Sequence, residues 1–140
     1  TEAGGTQMNE FYYIARLRIK RREDKGNDYF GRGVADLLHG VDQFSSLNLA
    51  ARHMGMAYSK AWRIVRQAEA ALGIQLLHRM RKNGSTLTAE GRKMLEVYEE
   101  AEQAAWAAAD AVMERYYGGT GNEQDQGRTA PKQGNAGDGL

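Results

Sequence analysis

The sequence predicts a mainly helical domain carrying one small antiparallel sheet, and three observations predict it. Apolar residues recur at three- and four-residue spacings in successive stretches between residues 32 and 72, and again from 89 to 116. Between them lies "RKNGS", whose Asn83-Gly84 pair joins short runs near Leu76 to Arg79 and Thr86 to Leu87, a strong hairpin signal. Gly73 and Thr88 stand where one helix should stop and the next begin.

Residues 1–10 are short and polar and read as a flexible amino terminus. From Phe11, Tyr13, Ala15, Leu17 and Ile19 alternate with Arg16, Arg18, Lys20 and Arg22, which predicts an extended strand with one apolar and one cationic face. The charges suit a solvated edge that deters edge-to-edge pairing. "REDKGND" reads as a turn. Val34, Leu37, Leu38, Val41 and Phe44 predict a first helix over roughly 32–43. Ser45 or Ser46 then caps a second, short helix that Gly55 ends, and Tyr58 to Leu72 forms a third with Ala61, Ile64, Val65, Ala68 and Leu72 inward.

Thr88 caps the last helix, predicted over 89–116, about 40 Å long at 1.5 Å per residue. Its apolar stripe, including Leu95, Tyr98, Ala101, Ala105, Ala109, Val112 and Met113, is longer than so small a core should cover, which predicts a homodimer packed through this helix. Tyr98, Trp106, Tyr116 and Tyr117 read as packing. Residues 118–140 hold seven Gly and no apolar run, and read as a disordered tail. The domain proper is therefore 11–117.

Composition excludes several functions. The 140-residue chain has no Cys, hence no disulfide framework, thiolate metal site or thiol nucleophile. His39, His53 and His78 are scattered and read as structural, so neither a metal nor a cofactor is expected. No triad, paired carboxylates or phosphate-binding Gly loop suggests an enzyme. No apolar run reaches the roughly 18 to 20 residues of a spanning helix, and the first thirty residues lack a leader pattern, so no membrane association and a cytoplasmic location are expected.

The formal net charge of +1 conceals segregation. From Lys60 to Lys93 there are eight Lys or Arg and two acids, whereas from Met94 to Glu114 there are six acids and no base. One face can therefore attract a polyanion while another repels it.

Three short helices followed by a basic hairpin make the element order of a winged helix-turn-helix, in which the third helix enters the major groove of double-stranded DNA and the hairpin reaches phosphate beside it. Ser59, Lys60, Arg63 and Gln67 are the candidates for base edges, since Arg and Lys match guanine acceptors and Gln matches adenine. Arg66 is assigned to phosphate, with Arg81 and Lys82 on the hairpin tip and Arg92 and Lys93 at the start of the long helix. Arg79 stands at a strand end, suited to stacking or internal pairing. Trp62 reads as half-buried packing.

"LNLAARHMGMAYSKAWRIVRQAEAALGIQLLHR" followed by "LTAEGRKML" resembles the DNA-binding domain of LysR-type regulators and, more closely, of molybdate-responsive ModE-type repressors, over roughly residues 30–115. The paired Ala50-Ala51, "YSKAW", "ALG" and "LTAEG" carry the resemblance; the preceding strand and Ala61-Trp62 tilt it toward the ModE type. It implies a homodimeric transcriptional regulator with Tyr58 to Leu72 of each subunit in a major groove. ModE-type proteins usually add molybdate-binding domains, for which these residues offer no counterpart, so oxyanion sensing is not carried over and a separate effector-sensing protein is left room. Family members often place Ser or Thr where Ala57 stands. The alternative function is a winged-helix interaction or structural module that dimerises without reading DNA sequence.

Overall fold

The computed structural model describes residues 11–118. The expected flexible amino terminus, residues 1–10, and all of the expected tail except Gly118 lie outside the described residues.

Local chemistry sets each helix boundary. Helix α1, Arg32–Phe44, ends at Ser45, whose left-handed backbone (φ 57°) returns its N–H to the Val41 carbonyl at 2.7 Å. The Ser46 hydroxyl caps α2, Leu47–His53, by accepting from the Leu49 amide. Helix α3, Tyr58–Leu72, stops at Gly73 in the left-handed conformation (φ 73°). Strands β1, Leu77–Arg79, and β2, Ser85–Leu87, pair antiparallel in the register Leu77 to Leu87. Helix α4, Ala89–Tyr117, begins under Thr88, whose hydroxyl accepts from the Gly91 amide at 2.7 Å.

The result is a winged helix-turn-helix with a long carboxy-terminal helix. Phe30, Leu37, Leu38, Val41, Leu47, Val65, Leu76 and Tyr98 form the centre of one core. Two glycines permit its close approaches. A Cβ on Gly40 would sit 2.5 Å from the Ala50 side chain, which is how α1 and α2 come together. A Cβ on Gly91 would strike the Leu76 carbonyl, the same oxygen that accepts the Thr88 amide, so α4 can start beneath the wing only with glycine there.

Ala57 occupies the N-cap of α3 with no side-chain hydrogen bond. Ala57→Ser should therefore supply a missing acceptor for the first-turn amides and stabilise the domain by about 1 kcal/mol. Thermal denaturation would register this as a rise of several degrees; an unchanged midpoint would show that the amides are already satisfied.

Three expectations need correction. The segment from Phe11 alternates as predicted, with Tyr13, Ala15, Leu17 and Ile19 turned inward, yet it is not a sheet strand. Its strand-like pairing is one isolated bridge, in which Ile19 and Phe30 exchange hydrogen bonds of 3.0 and 2.9 Å. Its amino-terminal half lies along α4, with Phe11 against Tyr117, Tyr13 against Trp106, and the Tyr13 hydroxyl donating to Asp110. A helix offers it no backbone edge, so alternation arises here without a ladder.

The hairpin turn is the second. Register leaves five residues, Met80 to Gly84, between the strands, and a one-turn 3-10 helix, Arg81–Asn83, fills the loop. Lys82, not Asn83-Gly84, takes the left-handed backbone (φ 59°), while Gly84 lies at φ −85°. The third concerns the long helix. Leu95 and Tyr98, expected on a partner-facing stripe, are 6% and 0% exposed within this chain's own core. Part of the helix's length is also covered by the chain itself, through Phe11 and Tyr13.

Helix α4 is anchored to α1 by a polar network. Arg32 donates to Glu102, which is only 5% exposed, and to Glu99 at 2.9 Å; Glu102 accepts from the Tyr98 hydroxyl at 2.9 Å, and Glu99 meets His39 Nε2 at 2.6 Å. Burial works to lower the basicity of Arg32, but Asp36, Glu99 and Glu102 outweigh it and the guanidinium titrates above its ordinary value. Burial and the Glu102 carboxylate together push the Tyr98 hydroxyl up.

Candidate nucleic-acid interface

The inward residues of α3, Ala61, Ile64, Val65, Ala68, Ala71 and Leu72, leave an opposite face carrying Ser59, Arg63 and Arg66, all exposed. Lys60 and Gln67 flank that face and are half-buried. With no side-chain cap at Ala57, the first-turn amides and the positive end of the helix dipole reinforce the cationic side chains. The tight turn into this helix is held by the Met54 and Met56 amides, both bonded to the Ala51 carbonyl (3.0 and 2.9 Å).

Helix and wing meet at Trp62. The guanidinium carbon of Arg66 lies 5.0 Å from the indole centroid, and that of Arg79, on β1, lies 4.8 Å from it. The three line a half-open cavity of about 290 Å³ together with Glu69, Gln75 and Leu77. Glu69 forms no ion pair with either arginine. Its carboxylate accepts from the Leu76 and Leu77 amides at 2.8 and 3.3 Å and so pins the start of β1 to α3.

Arg81 and Lys82 are exposed on the wing turn, which is tied to the α1–α2 corner by the Ser85 amide donating to the Ser45 carbonyl at 3.1 Å. Lys93 is exposed on the first turn of α4. Among the described residues the ion pairs engage Lys20, Arg32, His39 and Arg92 as the basic partners, whereas Lys60, Arg63, Arg66, Arg79, Arg81, Lys82 and Lys93 have no carboxylate within ion-pair distance. Unpaired cations on adjoining elements favour an anionic partner.

Arg92 departs from its sequence assignment. Its guanidinium is held by Asp42 of α1 at 2.9 Å, so its charge is already countered, and the same hydrogen bond keeps the Asp42 carboxyl below its ordinary range. Sequence reasoning did not place Arg79 beside Arg66, because the indole that joins them is 17 positions from one and four from the other and periodicity reports only the second relation. Tyr116 is exposed (71%) rather than packed, with Arg115 over its ring. Among the described residues no three His, Cys, Asp or Glu cluster to hold a metal, and no helix is long and apolar enough to cross a membrane.

Residues 36–92 match the family model described as bacterial regulatory helix-turn-helix protein, lysR family. Solved structures similar to the chain include the CbnR_DBD–DNA complex, with 25% identity over 56% of this chain and 90% of that one at a TM-score of 0.49. CbnR, a LysR family transcriptional regulator, is similar at 25% identity over 58% of this chain and 28% of its own, at a TM-score of 0.49. Full-length CbnR complexed with its target DNA gives 25% identity over the same shares at a TM-score of 0.50. The chain thus corresponds to little more than a quarter of full-length CbnR. No curated protein sequence is significantly similar to it.

Proposed function

We propose that this chain, whose residues 36–92 match the lysR-family helix-turn-helix, binds double-stranded DNA in a sequence-specific manner as a homodimeric transcriptional regulator in the cytoplasm. The observation that carries this reading is the convergence of the outward face of α3 and the wing on Trp62, with the arginines of both left without carboxylate partners. Arg63, Lys60, Ser59 and Gln67 are then the readers of base edges, and Arg66, Arg81, Lys82 and Lys93 neutralise phosphates. CbnR, which is complexed with its target DNA in a structure similar to this chain, supports the DNA-binding reading.

Dimerisation runs through α4. With Leu95 and Tyr98 taken up by the core, the contact falls to Ala101, Ala105, Ala109, Val112 and Met113, of which Val112 is exposed and the others half-buried. The extended segment ahead of α1 and the Ala61-Trp62 pair support a ModE-like variant of the LysR type. A separate effector-sensing protein is the proposed source of its signal.

Selection of bound duplexes from a random pool by the full chain tests the reading. The expected product is a palindrome with half-sites about 10 base pairs apart or a multiple of that, saturable at one dimer per duplex. No saturable duplex binding even at low salt would sink it, and binding without any enriched sequence would favour the non-reading module instead.

A further inference from the structure

Trp62 carries a feature that packing alone does not explain. Its indole Nε1 is the buried side-chain nitrogen or oxygen that finds no hydrogen-bond partner among the described residues. A buried donor without an acceptor is costly, and a phenylalanine or leucine would fill space here without that cost. What tryptophan adds is the strongest ring face for a cation, and two guanidinium groups use it, Arg66 at 5.0 Å and Arg79 at 4.8 Å. Like charges brought to one ring repel each other, and the nearest acid in the cavity, Glu69, is engaged by backbone amides. The two guanidinium groups exceed the charge of that one carboxylate, which lies beyond ion-pair distance of both.

Resting on the DNA-binding reading, we propose that Trp62 is a positioning residue that holds Arg66 of α3 and Arg79 of the wing as a two-armed clamp for a single backbone phosphate at the seam between them. A guanidinium held over an indole by cation–π attraction still has N–H groups to donate, and those match the oxygens of a phosphate in paired fashion. Clamping one phosphate from both elements fixes how deeply α3 sits in the groove. Arg79 thereby joins the interface, and Trp62 serves it without touching DNA.

Duplex titrations of the full chain across a salt series test the clamp. Each subunit of the proposed dimer carries the clamp, so Arg66→Ala combined with Arg79→Ala should lower the slope of log affinity against log salt by about 1.8, or about 0.9 for one phosphate per subunit, and a fall of about 3.6 would assign two separate phosphates per subunit and overturn the clamp. Trp62→Leu should keep the slope but weaken all duplexes about fivefold, and Trp62→Phe should recover most of that loss. Equal affinities for wild type and Trp62→Leu, with both folded by circular dichroism, would remove the positioning role.

If the wild type binds no duplex, the regulatory reading fails separately, and inorganic phosphate becomes the probe. A shift of the Trp62 indole N–H resonance on adding phosphate, absent in the double arginine variant, would support a clamp for free phosphate. No shift would overturn the clamp altogether.

Discussion

Arg32→Met is expected to destabilise the domain by about 3 kcal/mol or more, the largest effect of any single substitution considered on the α1–α4 contact. The reason lies in Glu102. Its carboxylate is nearly inaccessible and has two partners, the Arg32 guanidinium and the Tyr98 hydroxyl, so removing the cation leaves a buried charge with one neutral donor. Met fills much of the lost volume, which makes the electrostatic loss the main change. Adding Glu102→Gln should return most of the stability, because an amide oxygen can still accept from Tyr98 without carrying charge. Chemical denaturation of the single and double variants measures both. A double variant no better than Arg32→Met alone would show that Arg32 acts through packing.

The same network sets an acid limit. Burial pushes the Glu99 carboxyl up, but hydrogen bonds from His39 and Arg32 and their charges hold it below its ordinary value of 4.5. A carboxyl whose folded-state value is lowered stabilises fully above the unfolded value and loses that contribution as pH falls through the folded one. Asp36, which burial raises despite Arg32, works in the opposite direction. Melting temperatures compared between wild type and Glu99→Gln should therefore diverge above about pH 4.5 and converge in acid, the divergence being narrowed because the Glu99 charge also helps to raise Asp36.

How much of this was legible beforehand depends on whether a feature is local. The α3 boundaries were readable because Gly73 and the inward stripe act within a turn or two of themselves, and the Thr88 cap because it bonds three residues on. Partners were not. The alternation of Tyr13, Ala15, Leu17 and Ile19 reported two faces correctly but could not say that a helix, not a strand, would lie beneath one of them. Glu102 looked like surface because a charged residue on a mixed helix normally is; Arg32, 70 positions away, together with the Tyr98 hydroxyl makes its burial tolerable. Asn83-Gly84 suited a two-residue turn, but Leu77 opposite Leu87 required a longer one. In the interface, the face of α3 was readable from period alone, whereas the pairing of Arg92 with Asp42 and the meeting of Arg66 with Arg79 are tertiary.

Substitutions at Arg63 and Lys82 should separate reading from holding. Arg63 stands on the outward face of α3 and has no carboxylate partner among the described residues, so in the proposed complex its guanidinium reaches a base edge. Arg63→Ala should cost about 1 to 3 kcal/mol per half-site on the selected duplex, with most of the loss confined to one or two base-pair positions of each half-site, and much less on unrelated sequence. Lys82 sits at the wing turn with φ 59°, a conformation in which alanine would be strained, so Lys82→Gly removes the charge while keeping the backbone. That variant should weaken every duplex alike and reduce the salt slope by about 2, or about 1 for each subunit of the dimer. The two signatures differ because a base edge offers sequence and a phosphate only charge. Uniform losses from both substitutions, each with a lowered salt slope, would mean that α3 rests on the backbone instead of entering the groove.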